Sequence, residues 1–200
     1  MVMPQPFTIT SPIIASYTWE DFSNGSGVVV FYGARVSVDG TPANDNFILS
    51  REQIVSAGDT TSPVTSMDGG GATQIITFST TFGKARIADG NLYLHLPVES
   101  SGPGTPYYTI NIYHYDGITQ TEIATSKVTR QINNCALEII EKFPLTRTNF
   151  AVGESLQIKL TLTEGAATNT CLYHDPSSGQ AQFTQSGGAL KVYVPFLIQE

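Results

Sequence analysis

Charge is what this sequence has least of. Asp, Glu, Lys and Arg make up 14% of its 200 residues, against about a quarter in ordinary soluble domains. The surface must therefore be built from Thr, Ser, Asn, Gln and Gly. Lys and Arg number 10 against 17 Asp and Glu, a formal charge of −7. That balance argues against a protein that tracks phosphates, which needs a basic face, and against an anionic-membrane binder. Cysteine is nearly absent. Cys135 and Cys171 stand alone, too few for a disulfide framework, and no CxxC pair exists. The expectation is two buried, reduced thiols, the alternative being a disulfide between neighbouring strands. Long apolar runs are missing too. Val28-Val29-Val30-Phe31 is among the longest, far short of a membrane span. Residues 1–6 hold no basic n-region and no apolar h-region. The expectation is a protein without a Sec-type leader, made in the cytoplasm.

Helical periodicity is absent, and alternation takes its place. Leu156, Ile158, Leu160 and Leu162 share one parity, with Gln157, Lys159, Thr161 and Thr163 on the other. That is the pattern of a half-buried antiparallel strand. Similar stripes run through Val28, Val30, Tyr32, Ala34, Val36 and Val38, through Ile76, Phe78, Thr80 and Phe82, and through Leu92, Leu94, Leu96 and Val98. Tyr108, Ile110, Ile112 and His114 form another, and Cys135, Leu137, Ile139 and Glu141 one more. The last is Leu190, Val192, Val194, Phe196 and Ile198. A chain with such a stripe near residue 200 is expected to use it as an integral strand.

Turn chemistry separates the stripes. Asp39-Gly40, Asp89-Gly90-Asn91 and Tyr115-Asp116-Gly117-Ile118 each read as turns, the last as a type I′ hairpin. Ser50-Arg51-Glu52-Gln53 has capping-box spacing and predicts one short helical turn near residues 51–55. Residues 56–73 contain three consecutive glycines and read as a polar loop. No Lys and no helix follow, so they are not a phosphate cradle. Pro4, Pro6 and Pro12 make residues 1–14 an extended N-terminal arm. Residues 15–200 are expected to form a single β-sandwich domain of eight to ten strands. The fold class is thus all-β, an antiparallel, jelly-roll-like sandwich.

The search for chemistry yields little. His95, His114 and His174 are the only histidines, scattered among strands and best read as exposed or locally hydrogen-bonded, so no metal set is assigned. His174-Asp175 sets a histidine beside an aspartate, but strand neighbours point to opposite faces. Pro176 marks a turn there instead. Glu99, Asp116, Glu138, Glu141 and Glu154 offer carboxylate pairs that only spatial separation could test. Glu154, directly after Gly153, reads as a turn-exit residue. No GxSxG elbow occurs. No catalytic, cofactor or metal residue is therefore assigned. Trp19 is the sole tryptophan. Tyr107, Tyr113 and Tyr115 share parity with Thr109 and Asn111. That face reads either as a partner surface or as a second core layer. Tyr93 and Tyr193 also lie opposite apolar stripes.

Three segments carry a likeness. The first is Ala15-Ser16-Tyr17-Thr18-Trp19-Glu20-Asp21-Phe22 with Gly25, Gly27 and Val28-Val29-Val30-Phe31-Tyr32-Gly33. The second is Phe150-Ala151-Val152-Gly153-Glu154-Ser155-Leu156 leading to Leu172-Tyr173-His174-Asp175-Pro176. The third is residues 190–198. Together they resemble jelly-roll virion proteins of tailed bacteriophages, of the head-decoration or auxiliary-capsid kind. Residues 34–130 carry none of it. The resemblance implies a non-enzymatic structural protein of the virion, synthesised in the host cytoplasm and homo-oligomeric. It would bind the major capsid protein or other head proteins, without nucleic acid, membrane or cofactor. The rivals are a carbohydrate- or receptor-binding module of a tail or fibre and, more remotely, a hydrolase.

Overall fold

The computed structural model describes residues 15–16, 26–36, 46–52, 64–68, 73–101, 104–133, 135–163, 169–174 and 189–197. Among them are twelve strands and no helix: β1 (Ala15–Ser16), β2 (Ser26–Val36), β3 (Asn46–Ser50), β4 (Val64–Asp68), β5 (Gln74–Thr81), β6 (Arg86–Ser101), β7 (Tyr107–Tyr115), β8 (Gln120–Val128), β9 (Ala136–Phe150), β10 (Ser155–Thr163), β11 (Asn169–Tyr173) and β12 (Lys191–Leu197). The protein is all-β, a curled sheet of jelly-roll-like, sandwich character. Its order is β4-β11-β6-β12-β2-β3-β5-β10-β7-β8. Every ladder among the described residues is antiparallel except β3–β5, which is parallel.

The long strand β6 is the spine. One edge pairs with β9 from Arg86↔Phe150 to Glu99↔Ala136. The other edge takes β12 first and β11 afterwards. The sheet then curls until β8 lies beside β9, where Lys127 Nζ meets Glu141 Oε2 at 3.0 Å and sits 5.3 Å from the Phe143 ring centroid. Between the layers Phe82 packs edge-on against Phe150 and Phe196, at 4.9 and 5.6 Å between centroids.

The core follows the stripes. Leu92, Leu94, Leu96, Val98, Tyr108, Ile110, Ile112, Leu156, Ile158, Leu160, Leu162, Leu190, Val192 and Val194 are all fully buried. Each large aliphatic among them contributes about 1.5–3 kcal/mol of burial. β12 is central, hydrogen-bonded to β2 on one side and β6 on the other, so the final stripe is an integral strand as expected. Ile198 lies outside the described residues.

Several local expectations are corrected. On β2 Gly27, Val29, Phe31 and Gly33 are buried, while of the expected stripe Ala34 is buried, Val28, Val30 and Tyr32 are half-buried and Val36 is exposed; Val38 lies outside the described residues. Both parities of this strand are apolar, so alternation could not choose between them. Asp89-Gly90-Asn91 is no turn, because β6 runs straight through it with a register shift between Ala88 and Gly90. Gly90 takes φ +111° there, and a Cβ on it would lie 3.5 Å from Pro195. Pro195 in turn falls where the β12–β6 register breaks, between Tyr193 and Phe196. A proline lacks an N–H, so it survives inside a sheet at such an irregularity. The two bulges face each other and accommodate one another.

Within the expected loop 56–73, residues 64–68 form β4 and pair with β11. The 115–118 hairpin exists, but its loop is four residues long. Gly117 takes φ +100°, and the Asp116 carboxylate accepts the N–H groups of Ile118 and Thr119 at 2.8 and 2.7 Å. Those bonds, that of Thr119 foremost, hold the Asp116 carboxyl below its ordinary range. Cys135 and Cys171 are half-buried rather than buried and are not disulfide-bonded. The arm at residues 1–14, the turn at 39–40 and most of the expected helical turn at 51–55 lie outside the described residues.

Candidate functional site

The histidines are committed to local pairs. His114, near the end of β7, places Nε2 2.7 Å from Glu154 Oε2 and packs its ring edge-on against Phe150. The same Glu154 oxygen accepts the Ala151 N–H at 2.7 Å, closing the turn in which Gly153 takes φ +89°. These bonds, first the Ala151 N–H and then His114, hold the Glu154 carboxyl below its ordinary value. Glu154 is a turn-closing residue, in line with its position in the sequence. His95 Nε2 stands 3.3 Å from Glu138 Oε2 across the β6–β9 ladder. His174 is fully buried against Phe47 and Phe78, so of the two alternatives for the histidines, exposed or locally hydrogen-bonded, the exposed one does not apply to it.

The remaining carboxylate candidates are equally dispersed. Glu99 accepts the Tyr173 hydroxyl, whose phenol is pushed up by burial and then by that carboxylate. Glu141 pairs with Lys127. Among the described residues no three His, Cys, Asp or Glu side chains gather as a metal set, and no helix is long and apolar enough to cross a membrane. Trp19 and Asp175 lie outside the described residues.

The tyrosine face has a defined geometry. Tyr107, Thr109, Asn111, Tyr113 and Tyr115 are all half-buried, on the side of β7 opposite its core residues. The register lines them up with β10, and β10 with β5. One row reads Ile75, Thr161, Thr109, Val128 across four strands. Another reads Ser79, Gln157, Tyr113, Glu122, and a third Thr81, Ser155, Tyr115, Gln120. Ile75 and Val128, at the two ends of the first row, are 57% and 62% exposed. Amides tie the rows together. Gln120 Nε2 donates to Gln157 Oε1 at 2.6 Å, and Asn111 Nδ2 to Glu122 Oε1 at 3.1 Å. Of the two alternatives for this face, second core layer or open surface, the half-exposed tyrosines and the exposed ends of the first row support the open one.

A second feature has no counterpart in the sequence reading. The β3–β5 ladder covers only Phe47↔Phe78 and Ile48↔Ser79. Beyond it the strands part around a cleft of about 620 Å³. Leu49, Phe31 and Phe82 line its apolar depth, Ser50, Thr80 and Thr81 supply hydroxyls, and Arg51, Lys84 and Arg86 bring three cations to it. The only local trace of it is Lys84-Ala85-Arg86, two of the chain's 10 basic residues within three positions. Arg51 joins them only through the fold.

No family model matches the chain, and no curated protein sequence matches it. Among solved structures, two of a CocE/NonD family hydrolase from Staphylococcus aureus superpose with TM-scores of 0.54 and 0.52. Each is 11% identical and covers 86% of this chain but 37% of the hydrolase. The chain thus spans little more than a third of those proteins. At that identity the likeness is one of fold alone. The VP2 subviral particle of infectious bursal disease virus aligns over 88% of this chain and 57% of its own at 10% identity, with a TM-score of 0.24. A score of that size bears on neither fold nor function. The similarity to solved structures therefore stops at the β-rich architecture.

Proposed function

We propose that the protein is a non-enzymatic structural component of a virion. It acts as a capsid decoration or auxiliary head protein that docks on the major capsid protein or a neighbouring head protein and works as a homo-oligomer. Neither nucleic acid nor a membrane is its partner, and no cofactor is used. The observation that carries this reading is the open face of β5, β10, β7 and β8. Across its rows it presents Thr, Ser, Tyr, Gln and Asn, with Lys159 and Glu122 as its charges. Covering such a surface with protein avoids the large desolvation cost of charges. The terminal sequence resemblances, the jelly-roll-like fold and the structural engagement of His95, His114 and Glu154 support the same reading.

Strand spacing and rise give this face roughly 15 Å by 30 Å, about 450 Å² in projection. A standard interface covers about 800 Å² per partner. The face supplies about half of one, and a second contact must supply the rest. Residues 1–14 and the segment 56–73 are further contact segments in this reading.

One observation favours a second reading, a carbohydrate-binding module of a tail or fibre. Tyr113 and Tyr115 stand beside Gln157, Gln120 and Glu122, and aromatic platforms flanked by amides and carboxylates suit sugars. The test adds purified protein to particles that lack it and counts bound copies. Wild type is expected to saturate at many copies. Ile75→Lys/Val128→Lys, changed at exposed positions, is expected to bind poorly while melting normally. Failure to bind any particle, alongside saturable binding to a glycan, would replace the capsid reading with the receptor-binding one.

A further inference from the structure

We propose that the cleft between β3 and β5 binds an extended, acidic peptide segment of a protein partner. Naming a polypeptide as the occupant rests on the docking role above. The preference for an anion rests on the cleft itself.

The chain carries a net charge of −7 and only 10 basic residues. Arg51, Lys84 and Arg86 nonetheless converge on this cleft, and among the described residues no Asp or Glu lines it. That concentration runs against the charge of the whole, and Lys84 and Arg86 give the cleft a cationic side. The two arginines each lie over an aromatic ring. The Arg51 guanidinium carbon lies 6.0 Å from the Phe31 ring centroid, and that of Arg86 lies 5.5 Å from the Phe196 centroid. A planar cation resting on a ring is oriented before a ligand arrives, so less side-chain freedom is lost on binding.

The backbone argues for a peptide. β3 is laddered to β2 on its outer side, as at Tyr32↔Ser50. β5 is laddered to β10, as at Ser155↔Thr81. Toward each other the two strands are joined only by the two pairs at Phe47 and Ile48. Past that point their facing edges border the cleft. Strand edges recognise an added extended chain through main-chain hydrogen bonds, and pockets then select alternate side chains. Here the two sides differ in character. Phe31, Leu49 and Phe82 are buried in the depth, whereas Lys84 is exposed. An extended segment with apolar and acidic residues alternating would send one set inward and the other to the cations. The volume of about 620 Å³ falls within the usual range for a ligand site, about 300–1,000 Å³.

Two substitutions separate charge from space. Lys84 is exposed, so Lys84→Glu reverses a charge without disturbing the core. Gly83 also borders the cleft, and a Cβ there meets nothing within 4 Å, so Gly83→Trp obstructs it. Both variants are expected to keep the wild-type melting temperature. Binding is read by fluorescence anisotropy with a labelled hexapeptide of alternating valine and glutamate. A valine–glutamine peptide is the control, and sialyllactose serves as competitor. Wild type is expected to hold the glutamate peptide about tenfold or more above the glutamine peptide, with affinity falling as salt rises. Each variant is expected to lose about tenfold. Equal binding of both peptides, or wild-type affinity in folded Lys84→Glu, would overturn the proposal, and so would sialyllactose binding without peptide binding. Particle binding separates the two readings. Variants that dock on particles like wild type would remove the cleft proposal and leave the docking role. Wild type that binds the glutamate peptide but no particle would remove the docking role and leave an anion site.

Discussion

Gly33→Ala probes the place where β12 joins the sheet. Gly33 N–H donates to the Leu190 carbonyl at 2.9 Å, and Leu190 N–H donates to the Tyr173 carbonyl at 3.1 Å. These bonds fix the backbone of Leu190 just before β12 begins. A Cβ on Gly33 would lie 3.0 Å from Leu190 Cδ2, 3.1 Å from Leu190 Cβ and 3.1 Å from Phe78 Cε1. Ordinary carbon contacts are about 3.5–4.0 Å. Phe78 cannot withdraw easily, because its ring is held edge-on by Phe47 at 5.2 Å between centroids. Overpacking of this kind costs about 1–3 kcal/mol. In a chain of this size that lowers the melting temperature by about 2–12 °C. Gly33 has no positive φ, so alanine is conformationally allowed. Without the close approach, Gly33→Ala would stabilise the protein by about 0.4–1 kcal/mol through the unfolded state. The sign of the change therefore decides the matter. Leu190→Ala alone should cost about 2–5 kcal/mol. Combined with Gly33→Ala it should cost less than the sum, because Cδ2 is gone. Calorimetry on the four proteins tests this. A raised melting temperature for Gly33→Ala, or strict additivity in the double variant, would refute the packing described here.

Deleting residues 190–200 should abolish soluble folding, since β12 would vanish from between β2 and β6; a truncated protein that melts like wild type would contradict this. Glu154→Gln should lower stability at neutral pH. The folded carboxyl lies below its ordinary value near 4.5, so its contribution is complete above that value and disappears as pH falls through the lower folded one. Wild-type and variant stabilities should thus converge in acid, and curves that stay parallel to pH 3 would count against the turn-closing role. Alkylation under denaturing conditions without reductant should modify both Cys135 and Cys171; an intact mass showing neither modified would reveal a disulfide instead.

What could be read from the sequence depended on whether one parity was polar. On β10, Gln157, Lys159 and Thr161 against Leu156, Ile158 and Leu160 left one solution, and the structure adopts it. On β2 both parities are apolar, and the choice fell to Gly33, whose missing side chain admits Leu190 and Phe78. On β8 alternation fails outright, because Ile123 and Ala124 are consecutive and both buried, beside register shifts in the β7–β8 ladder. Asp89-Gly90 reads as a turn because Asp-Gly serves a bulge as well as a turn, and the bulge at Gly90 shows only in the β6–β9 register and in the approach of Pro195. The tyrosine face was legible as a face, but its rows required cross-strand register. The cleft was not legible at all. Arg51 reaches it from the end of β3 and Lys84 from the segment after β5, and a two-pair parallel ladder places them together.

Copy number in purified virions decides whether this protein clothes a capsid, as proposed. Quantitative mass spectrometry against the major capsid protein gives the ratio. A decoration or auxiliary head protein should be present in many copies, in a fixed proportion to the capsid subunit that holds from one preparation to the next. A few copies per particle would place the protein in a tail or fibre, and none would remove it from the virion.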